Sequence, residues 1–396
     1  MLNFEYYCPT KFVFGKGQQA HVAAYVREFG GTKVLIHGYG ESYPAYNELL
    51  AAVRSSFETS GIAYVEVSGV EPNPKLGLAL KAAQVVRDEK CDFILAVGGG
   101  SVIDSAKCAA VAARYDGDVW NDLYIGQQDY PTPVPVGVVL TSAATGSESS
   151  PGSVITNLET HQKKFIYRDV NRPKFAVMDP EITYTLPPYQ TACGAIDTVS
   201  HFTEHYFTSE HDNYLTDMLN ESAIRAVRRF APIAIKDPTN YEARANLMWA
   251  ASMGMNGYTA VGRMDDSAVH SIQQEIGGLY DSAHGAGVGC VTLGWFKYCY
   301  KKDLPRFYRY FTEAWGVDPD PMNPEAVILE GINQYRIFLR LIGIPTDCRK
   351  LGVREEDLQR IADGADCNPR GKCGNLTMLD SEDIINVLRL CMEGEE

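Results

Sequence analysis

Short runs of apolar residues alternate with amphipathic stretches over roughly the first 185 residues of the chain. The runs KVLIH, IAYVEV, DFILAV, VPVGVVL and KFAVMD, at 33–37, 62–67, 92–97, 134–140 and 174–179, have the length and composition of buried strands. The segments between them, at 45–60, 75–89 and 101–114, repeat apolar residues at helical spacing. This alternation predicts a parallel sheet covered by helices on both faces. A further run, KFVFGKG (11–17), is predicted to pair at the edge of that sheet or across a dimer interface.

The pattern changes after TLPPYQ (185–190), where almost every segment has helical spacing and Gly or Pro marks the turns. The predicted helices lie at 189–207, 212–230, 241–260, 267–279, 324–342 and 381–392. A chain of 396 residues is longer than one hydrophobic core usually organises, which favours two domains. The sequence therefore predicts an α/β domain at 1–187 and an all-α domain at 188–396, with the boundary at Pro187–Pro188.

Composition and charge narrow the classes of partner. Apolar residues make up 45% and charged residues 22% of the chain, as in ordinary soluble globular proteins. The net charge of −14 argues against a nucleic acid or an anionic membrane as partner, because both require a basic face. No apolar run has the length of a membrane span, and the first residues do not have the pattern of a secretory signal.

The cysteines bear on location and on metal binding. The ten cysteines are scattered along the chain, which favours reduced thiols and a cytoplasmic location over a disulfide framework. Cys367 and Cys373 lie close together in CNPRGKC, but no second pair completes a zinc site, so metal binding is not expected there.

A glycine-rich turn is the first candidate binding motif. In LAVGGGSVIDSAK (95–107), a buried strand leads through Gly98, Gly99 and Gly100 into a helix that begins near Ser101. Backbone N–H groups at such a helix start bind phosphate, and glycines let the backbone approach the ligand closely. The turn differs from the spaced G-x-G-x-x-G fingerprint and has no P-loop lysine, so a simple tight turn stays an alternative.

Two further turns follow predicted strands. LTSAATGSESS (140–150) is rich in hydroxyl groups, among them those of Thr141, Ser142 and Thr145, and VEPNP (70–74) forms the other turn. Ligands in open parallel sheets bind outside the carboxyl ends of the strands, where all three turns are expected to lie. The sequence therefore predicts a dinucleotide site in the α/β domain, although a loop of self-bonded Ser and Thr side chains is the alternative for LTSAATGSESS.

Candidate metal ligands occur in the helical half of the chain. GAIDTVSHFTEHYF (194–207) places Asp197 and His201 four residues apart, which stacks both side chains on one face of a helix. His270 and His284 follow in a later segment. One carboxylate and three imidazoles suit Fe²⁺, Zn²⁺, Mn²⁺ or Co²⁺, and a set without thiolates favours an open catalytic site over a structural zinc site.

The spacing alone leaves alternatives open. Gly277 and Gly278, which lie between the two histidines, allow a helix to end and the chain to return toward the first pair of ligands. His205 follows His201 by four residues and offers a different pair. A histidine on an amphipathic helix is also often structural.

The motifs taken together resemble one enzyme family. VEPNP, GGGSVIDSAK, TSAATGSE, TLPPYQTACGAIDTVSHFTEHYFT, DDSAVH and YDSAHGAG occur here in the order found in iron-containing alcohol dehydrogenases, and the chain is most similar to the butanol dehydrogenase-like members. The resemblance covers the chain from about residue 4 to about residue 390. It implies the fold that this family shares with dehydroquinate synthases, a Rossmann-like parallel-sheet domain followed by an all-helical domain. It also implies that Asp197, His201, His270 and His284 bind the metal, and it disfavours His205.

The resemblance also implies which residues bind the dinucleotide. The matching positions are Gly38, Ser42, Asn73, Gly98, Gly99, Gly100, Ser101, Asp104, Thr141, Ser142, Thr145 and Lys164. Lys164 depends on the resemblance alone, since nothing in its local sequence distinguishes it from an exposed lysine.

The chain departs from the family pattern at two places. Gln274 stands where many relatives carry a histidine proposed to relay protons, and glutamine cannot titrate. In VLIHGYGES (34–42), Gly38 takes the place of the acidic residue of NAD-preferring members, and Ser42 matches a serine of NADP-preferring members. Glu41 would repel a 2′-phosphate, so the choice between NAD and NADP stays open, with a slight lean to NADP from the subgroup.

The expected function is hydride transfer between NAD(P)H and a small aldehyde or primary alcohol, with the metal acting as a Lewis acid. A lyase or cyclase like the dehydroquinate synthases is the rival enzyme hypothesis, and a regulatory protein that binds metal or nucleotide without turnover is the non-enzymatic one. A homodimer formed through the N-terminal edge strand is expected.

Overall fold

The computed structural model describes residues 1–40, 42–365 and 371–393. Glu41, which bears on the choice of cofactor, and Cys367 lie outside the described residues. The chain divides into two units. The α/β unit comprises residues 7–186 and 238–256, and the helical unit comprises residues 1–6, 187–237 and 257–396.

The α/β unit contains a six-stranded sheet in which every pair of neighbours is parallel. Its strands are β1 (Lys11–Phe14), β2 (Lys33–Gly38), β3 (Ala63–Ser68), β4 (Phe93–Gly98), β5 (Val136–Leu140) and β8 (Phe175–Met178), and an antiparallel hairpin is formed by β6 (Gly152–Asn157) and β7 (Gln162–Tyr167). The strand order is β1-β8-β5-β4-β2-β3. The predicted strands and the position of β1 at the sheet edge are confirmed, whereas the hairpin was not predicted.

Helices cover both faces of the sheet, as predicted. They are α1 (Val22–Glu28), α2 (Pro44–Ser60), α3 (Leu76–Asp88) and α4 (Gly100–Ala112). Successive residues of β2 show which helices cover which face of the sheet. Val34 and Ile36 pack with α1 and α2 on one face, whereas Leu35 packs with α3 and α4 on the other. Alternate side chains of a strand point to opposite faces, so a strand that is apolar throughout is buried on both.

The strand order reverses between β2 and β4. The chain runs from β2 outward to β3 and returns to β4 on the other side of β2. Gly38 ends β2 and Gly98 ends β4, so both glycines lie at the carboxyl edge where the order reverses. Ligands of open α/β sheets bind at this kind of crevice.

One long helix lies buried at the centre of the helical unit. Its helices are α5 (Pro188–Tyr206), α6 (Tyr214–Lys236), α8 (Ala268–Tyr280), α9 (His284–Cys299), α10 (Leu304–Arg309), α11 (Pro324–Leu341), α12 (Leu358–Gly364) and α13 (Ser381–Met392). Every residue of α5 from Thr191 to Tyr206 is buried, and α6 and α9 pack against it. Within the described residues, no helix is long and apolar enough to cross a membrane.

A helix from late in the chain joins the α/β unit. It is α7 (Tyr241–Met255), whose Trp249 ring lies 5.3 Å from the Phe12 ring of β1 and whose Ser252 hydroxyl donates to the buried carboxylate of Glu148. Residues 238–256 therefore pack with the α/β unit and residues 1–6 with the helical unit. The predicted division into 1–187 and 188–396 places each of these two segments in the other domain. Local periodicity does not indicate where they pack, because their packing depends on contacts between distant parts of the chain.

The helix that carries His270 agrees with the predicted range of 267–279 to within one residue at each end. Gly277 and Gly278 lie inside α8, which continues to Tyr280. The chain turns at Asp281, which has a positive φ of 48°, and α9 begins three residues later at His284. Asp is among the few residue types that tolerate the left-handed conformation, so the chain leaves the helix at Asp281 and not at the two glycines.

Candidate metal centre and dinucleotide-binding turns

Asp197 and His201 lie on α5 with the spacing that the sequence predicted. The separation of four residues brings His201 Nε2 to 3.7 Å from Asp197 Oδ1. The side chain of Asp197 is only 2% exposed, because α5 is enclosed by its neighbours.

α8 and α9 bring the other two candidate ligands to the same carboxylate. His270 Nε2 lies 3.4 Å and His284 Nε2 lies 3.3 Å from Asp197 Oδ1. The rings of His201 and His270 stack with centroids 4.9 Å apart. One ligand atom from each of Asp197, His201 and His270 lies within 4.8 Å of the others, and His284 adjoins this group through Asp197.

A glycine allows the close approach of α9. Gly285 follows His284, and a Cβ at this position would collide with the backbone of Cys193 on α5. α9 therefore packs against α5 at a distance that a larger residue would prevent, which carries His284 to Asp197.

The atoms of this cluster suit a metal ion. In the described part of the chain, Asp197 Oδ1 and His270 Nε2 are buried without a hydrogen-bond partner. Buried polar atoms are rarely left unsatisfied, and such an exception points to an ion or a functional role. Side-chain exposure rises from 2% at Asp197 to 28% at His284, so the cluster is open on the side of His284.

The electrostatics of the cluster favour a bound cation. Burial acts to raise the pKa of Asp197, but the imidazoles of His201, His284 and His270 outweigh it and hold the pKa well below the usual range. Burial lowers the pKa of His201 to about 3, so this ring is neutral at neutral pH. Burial also acts to lower the pKa of His270, but Glu204 and Asp197 raise it to about 10. A cation bound at His270 Nε2 would therefore have to displace a proton.

His205 makes a different contact. Its Nδ1 lies 3.1 Å from Thr259 Oγ1, and its backbone carbonyl accepts a hydrogen bond from Arg263. Its ring nitrogens do not belong to the group that Asp197, His201 and His270 form. The geometry therefore favours the ligand set that the resemblance implied.

The glycine-rich turn packs closely against the hydroxyl-rich turn. A Cβ at Gly99 would collide with the hydroxyl of Ser142, and a Cβ at Gly100 would collide with the side chain of Thr145. The first intrahelical hydrogen bonds of α4 run from Val102 N and Ile103 N to Gly99 O, so the N–H groups of Gly100 and Ser101 precede them. These N–H groups have the position that a phosphate requires.

A tyrosine that the sequence did not single out also reaches this turn. The hydroxyl of Tyr39 accepts a hydrogen bond of 2.9 Å from the N–H of Gly99 and also bonds to the side chain of Thr141. Tyr39 directly follows Gly38, where a Cβ would collide with the hydroxyl of Tyr46. The Tyr39 hydroxyl thus occupies one donor at the start of α4.

α4 holds the hydroxyl-rich turn through two charged side chains. The buried Lys107 donates to the carbonyl oxygens of Ser147, Ser150 and Gly152 at 2.7 to 2.8 Å. Asp104 Oδ1 accepts a hydrogen bond of 2.6 Å from the hydroxyl of Ser147. Asp104 matched a dinucleotide position, but Lys107 was missed, although it ends the quoted motif GGGSVIDSAK three residues after Asp104.

The remaining candidate positions are distributed around the same sheet edge. Ser42 is exposed, and its N–H donates to Asn47. Asn73 Oδ1 accepts a hydrogen bond of 3.0 Å from Lys163. Lys164, the candidate from the resemblance, is the next residue of β7 and points to the opposite side of the hairpin. Lys163 is a residue that sequence reasoning missed.

Models of one enzyme family match both parts of the chain. The model described as "Iron-containing alcohol dehydrogenase" matches residues 9–180. The model described as "Fe-containing alcohol dehydrogenase family, C-terminal" matches residues 191–392. The chain belongs to the iron-containing alcohol dehydrogenase family.

Individual relatives support the butanol dehydrogenase-like subgroup. The dehydrogenase is 35% identical to "NADH-dependent butanol dehydrogenase A" of Clostridium acetobutylicum over 98% of its own length and 99% of the relative's. It is 33% identical to the "NADPH-dependent aldehyde reductase YqhD" of Escherichia coli, over 89% of its length and 90% of the relative's. The crystal structure of NADH-dependent butanol dehydrogenase A from Thermotoga maritima superposes with a TM-score of 0.93, 36% identity and 99% coverage of both chains.

These findings confirm the predicted fold class and reaction class. The enzyme is an oxidoreductase that interconverts alcohols and aldehydes with a nicotinamide cofactor. Its parallel-sheet unit and helical unit have the architecture of this family.

Proposed function

We propose that Asp197, His201, His270 and His284 hold one Fe²⁺ ion, for which Zn²⁺, Mn²⁺ or Co²⁺ are able to substitute, and that the enzyme reduces small aldehydes or oxidises primary alcohols. The observation that carries this proposal is the pair of orphaned buried atoms, Asp197 Oδ1 and His270 Nε2, with the other two imidazoles around the same carboxylate. A metal in this set acts as a Lewis acid toward the oxygen of the substrate.

The residues themselves have distinct tasks in this proposal. Asp197 supplies the buried negative charge, and the neutral ring of His201 supplies a nitrogen ligand that does not compete for protons. His284, which is 28% exposed, marks the side from which a substrate enters. Gln274 cannot relay a proton, so we propose that the alcohol proton is exchanged through water on this open side or through a ribose hydroxyl of the cofactor.

The dinucleotide is proposed to bind the turns of the α/β unit. A nicotinamide cofactor supplies the hydride, and the protein orients it. The N–H groups of Gly100 and Ser101 are proposed to bind phosphate oxygens, with Gly98 and Gly99 permitting the approach. The other proposed contacts are Gly38, Ser42, Asn73, Asp104, Thr141, Ser142, Thr145 and Lys164. Since relatives use NADH or NADPH, the lean to NADP stays a prediction.

Tyr39→Phe is expected to tighten binding of NAD(P)H about five- to tenfold. The hydroxyl of Tyr39 occupies the N–H of Gly99, and its removal frees this donor to join those of Gly100 and Ser101 in binding a phosphate oxygen; one neutral hydrogen bond corresponds to about 1 kcal/mol. Fluorescence titration with NADH and NADPH measures the effect. Tyr43→Phe serves as the control, because Tyr43 is an exposed tyrosine that lies, like Tyr39, between β2 and α2. Unchanged or weaker binding by Tyr39→Phe would show that this hydroxyl does not compete with the cofactor.

A substrate panel tests the proposed function. Short aldehydes and primary alcohols are supplied with NADH or NADPH to enzyme reconstituted with Fe²⁺, Zn²⁺ or Mn²⁺. Consumption of one NAD(P)H for each aldehyde is the expected result. Turnover without net oxidation of the nicotinamide would instead support the lyase hypothesis, and metal-loaded protein that is inert toward the whole panel would support a regulatory role.

We also propose a homodimer formed through β1, in the cytoplasm. β1 is an edge strand whose last residue, Phe14, is 40% exposed, and the neighbouring ring of Trp249 is 42% exposed. Unpaired strand edges flanked by exposed aromatic rings favour association. Light scattering of the wild type and of Phe14→Lys tests the dimer, and a wild-type monomer would contradict it.

The cysteines support the proposed cytoplasmic location. All nine cysteines in the described ranges are free thiols, which supports a reducing compartment.

A further inference from the structure

Glu204 extends the stripe of candidate ligands on α5. It follows Asp197 by seven residues and His201 by three, so the three side chains lie along one face of the helix. Glu204 is buried, and the structure gives its carboxylate two contacts to a single residue on another helix. His270 Nδ1 lies 2.5 Å from Glu204 Oε2, and the backbone N–H of His270 donates to Oε1 at 3.0 Å.

The contact with the ring determines which nitrogen of His270 faces Asp197. A carboxylate accepts a hydrogen bond, so Nδ1 carries the proton and Nε2 faces Asp197 Oδ1, 3.4 Å away. Such an outer carboxylate orients a ligating imidazole and raises its basicity as a ligand. In the described residues, Nδ1 of His201 has no comparable partner.

The backbone contact fixes the start of α8. His270 is the third residue of α8, and its N–H is one of the groups that have no partner within the helix. The N-cap residue Ser267 has a positive φ of 56° and makes no side-chain cap. Glu204 therefore takes the role of the cap from a different helix, and it holds both the backbone and the ring of His270.

The two carboxylates on α5 also favour a cation at this site. Asp197 and Glu204 are two buried carboxylates at this site, and the three imidazoles are neutral when they bind a metal. Carboxylate oxygens beside a buried site lower the cost of burying a cation in a helix bundle.

We infer that Glu204 is a positioning residue for the metal centre, which locks His270 in the tautomer and orientation that present Nε2 to the ion. The inference rests on the proposed metal site. Glutamine at position 204 can accept the backbone hydrogen bond with its carbonyl, but its amide N–H₂ then meets the N–H of His270 Nδ1 and cannot accept from it. The ring must change tautomer or rotate.

Metal affinity tests the inference directly. The wild type, Glu204→Gln and Glu204→Asp are stripped of metal and titrated with Zn²⁺ in competition with a chromogenic chelator. Glu204→Gln is expected to raise the Kd for Zn²⁺ about 10- to 100-fold. The absorption bands of the Co²⁺-loaded protein are expected to change in shape, which a general loss of stability would not produce. Glu204→Asp keeps the charge with a shorter reach and is expected to be weakened as well, so it carries the test if the glutamine variant does not fold.

Glu221→Gln provides the matched control. Glu221 is a buried carboxylate on the neighbouring α6 that contacts Tyr206 and Arg309 but none of the four proposed ligands. Its substitution is expected to leave the Kd for Zn²⁺ unchanged. A wild type that retains no divalent metal would refute the proposed site itself. A wild type that binds metal while Glu204→Gln binds it within twofold as tightly would overturn the role of Glu204.

Discussion

Replacing His270 by alanine is expected to abolish stable metal binding and to lower aldehyde reduction about a thousandfold. His270 Nε2 is one of the two orphaned atoms of the cluster, and its ring stacks on that of His201. Loss of a ligand removes charge stabilisation worth several kcal/mol, which corresponds to about this factor in rate. Elemental analysis of the purified variant and initial rates with NADH and NADPH measure the two effects.

His21→Ala is the matched control for this experiment. His21 is exposed in the α/β unit, and its replacement removes an imidazole without touching the proposed centre. The control is expected to keep the metal content and rate of the wild type. If His270→Ala also kept both, the proposed ligand set would be wrong.

Asp217→Asn is expected to destabilise the helical unit by about 3–5 kcal/mol, because it leaves buried positive charges without their partner. Asp217 has no exposed surface and contacts three arginines: Arg306 at 2.7 Å, Arg263 at 2.8 Å and Arg309 at 3.2 Å. For a unit of this size the expected fall in Tm is about 6–20 °C. Thermal unfolding followed by circular dichroism measures it.

Glu355→Gln separates this effect from the loss of an ordinary ion pair. Glu355 pairs with Arg389, and each side chain is 58% exposed. Exposed pairs contribute little, so this variant is expected to change the free energy of unfolding by less than about 1 kcal/mol. Equal Tm values for the two variants would mean that the arginines around Asp217 do not depend on its charge.

Several features could be predicted because they depend on local periodicity. The strands of the sheet follow from short apolar runs, and the pair Asp197 and His201 follows from a separation of four residues on one helix. His270 and His284 were candidates from their residue type, and the family resemblance then favoured them over His205, because no local rule connects them to α5. The helix at 267–279 was also predicted to within one residue, and it passes through Gly277 and Gly278 because the tertiary contacts of α8 outweigh the low helix propensity of two glycines.

Other features depend on contacts between residues that are far apart in the chain. Glu204 and His270 are separated by 66 positions, and Tyr39 and Gly99 by 60. Each contact joins groups on different elements, so no spacing along one helix or strand reveals it. Glu204 lies on the stripe of Asp197 and His201, but its position on that stripe does not show what its carboxylate contacts.

The sequence by itself determined the strands of the parallel sheet, the α/β and helical halves, and, through the family resemblance, the reaction class, because periodicity and ordered motifs are properties of the chain. Only the tertiary structure decided that α7 packs with the sheet, that Tyr39 occupies a donor at the start of α4, and that Glu204 holds His270. The physical reason is that packing and hydrogen bonding act through space. A side chain acquires its role from the atoms that the fold brings to it, and these atoms come from distant parts of the sequence.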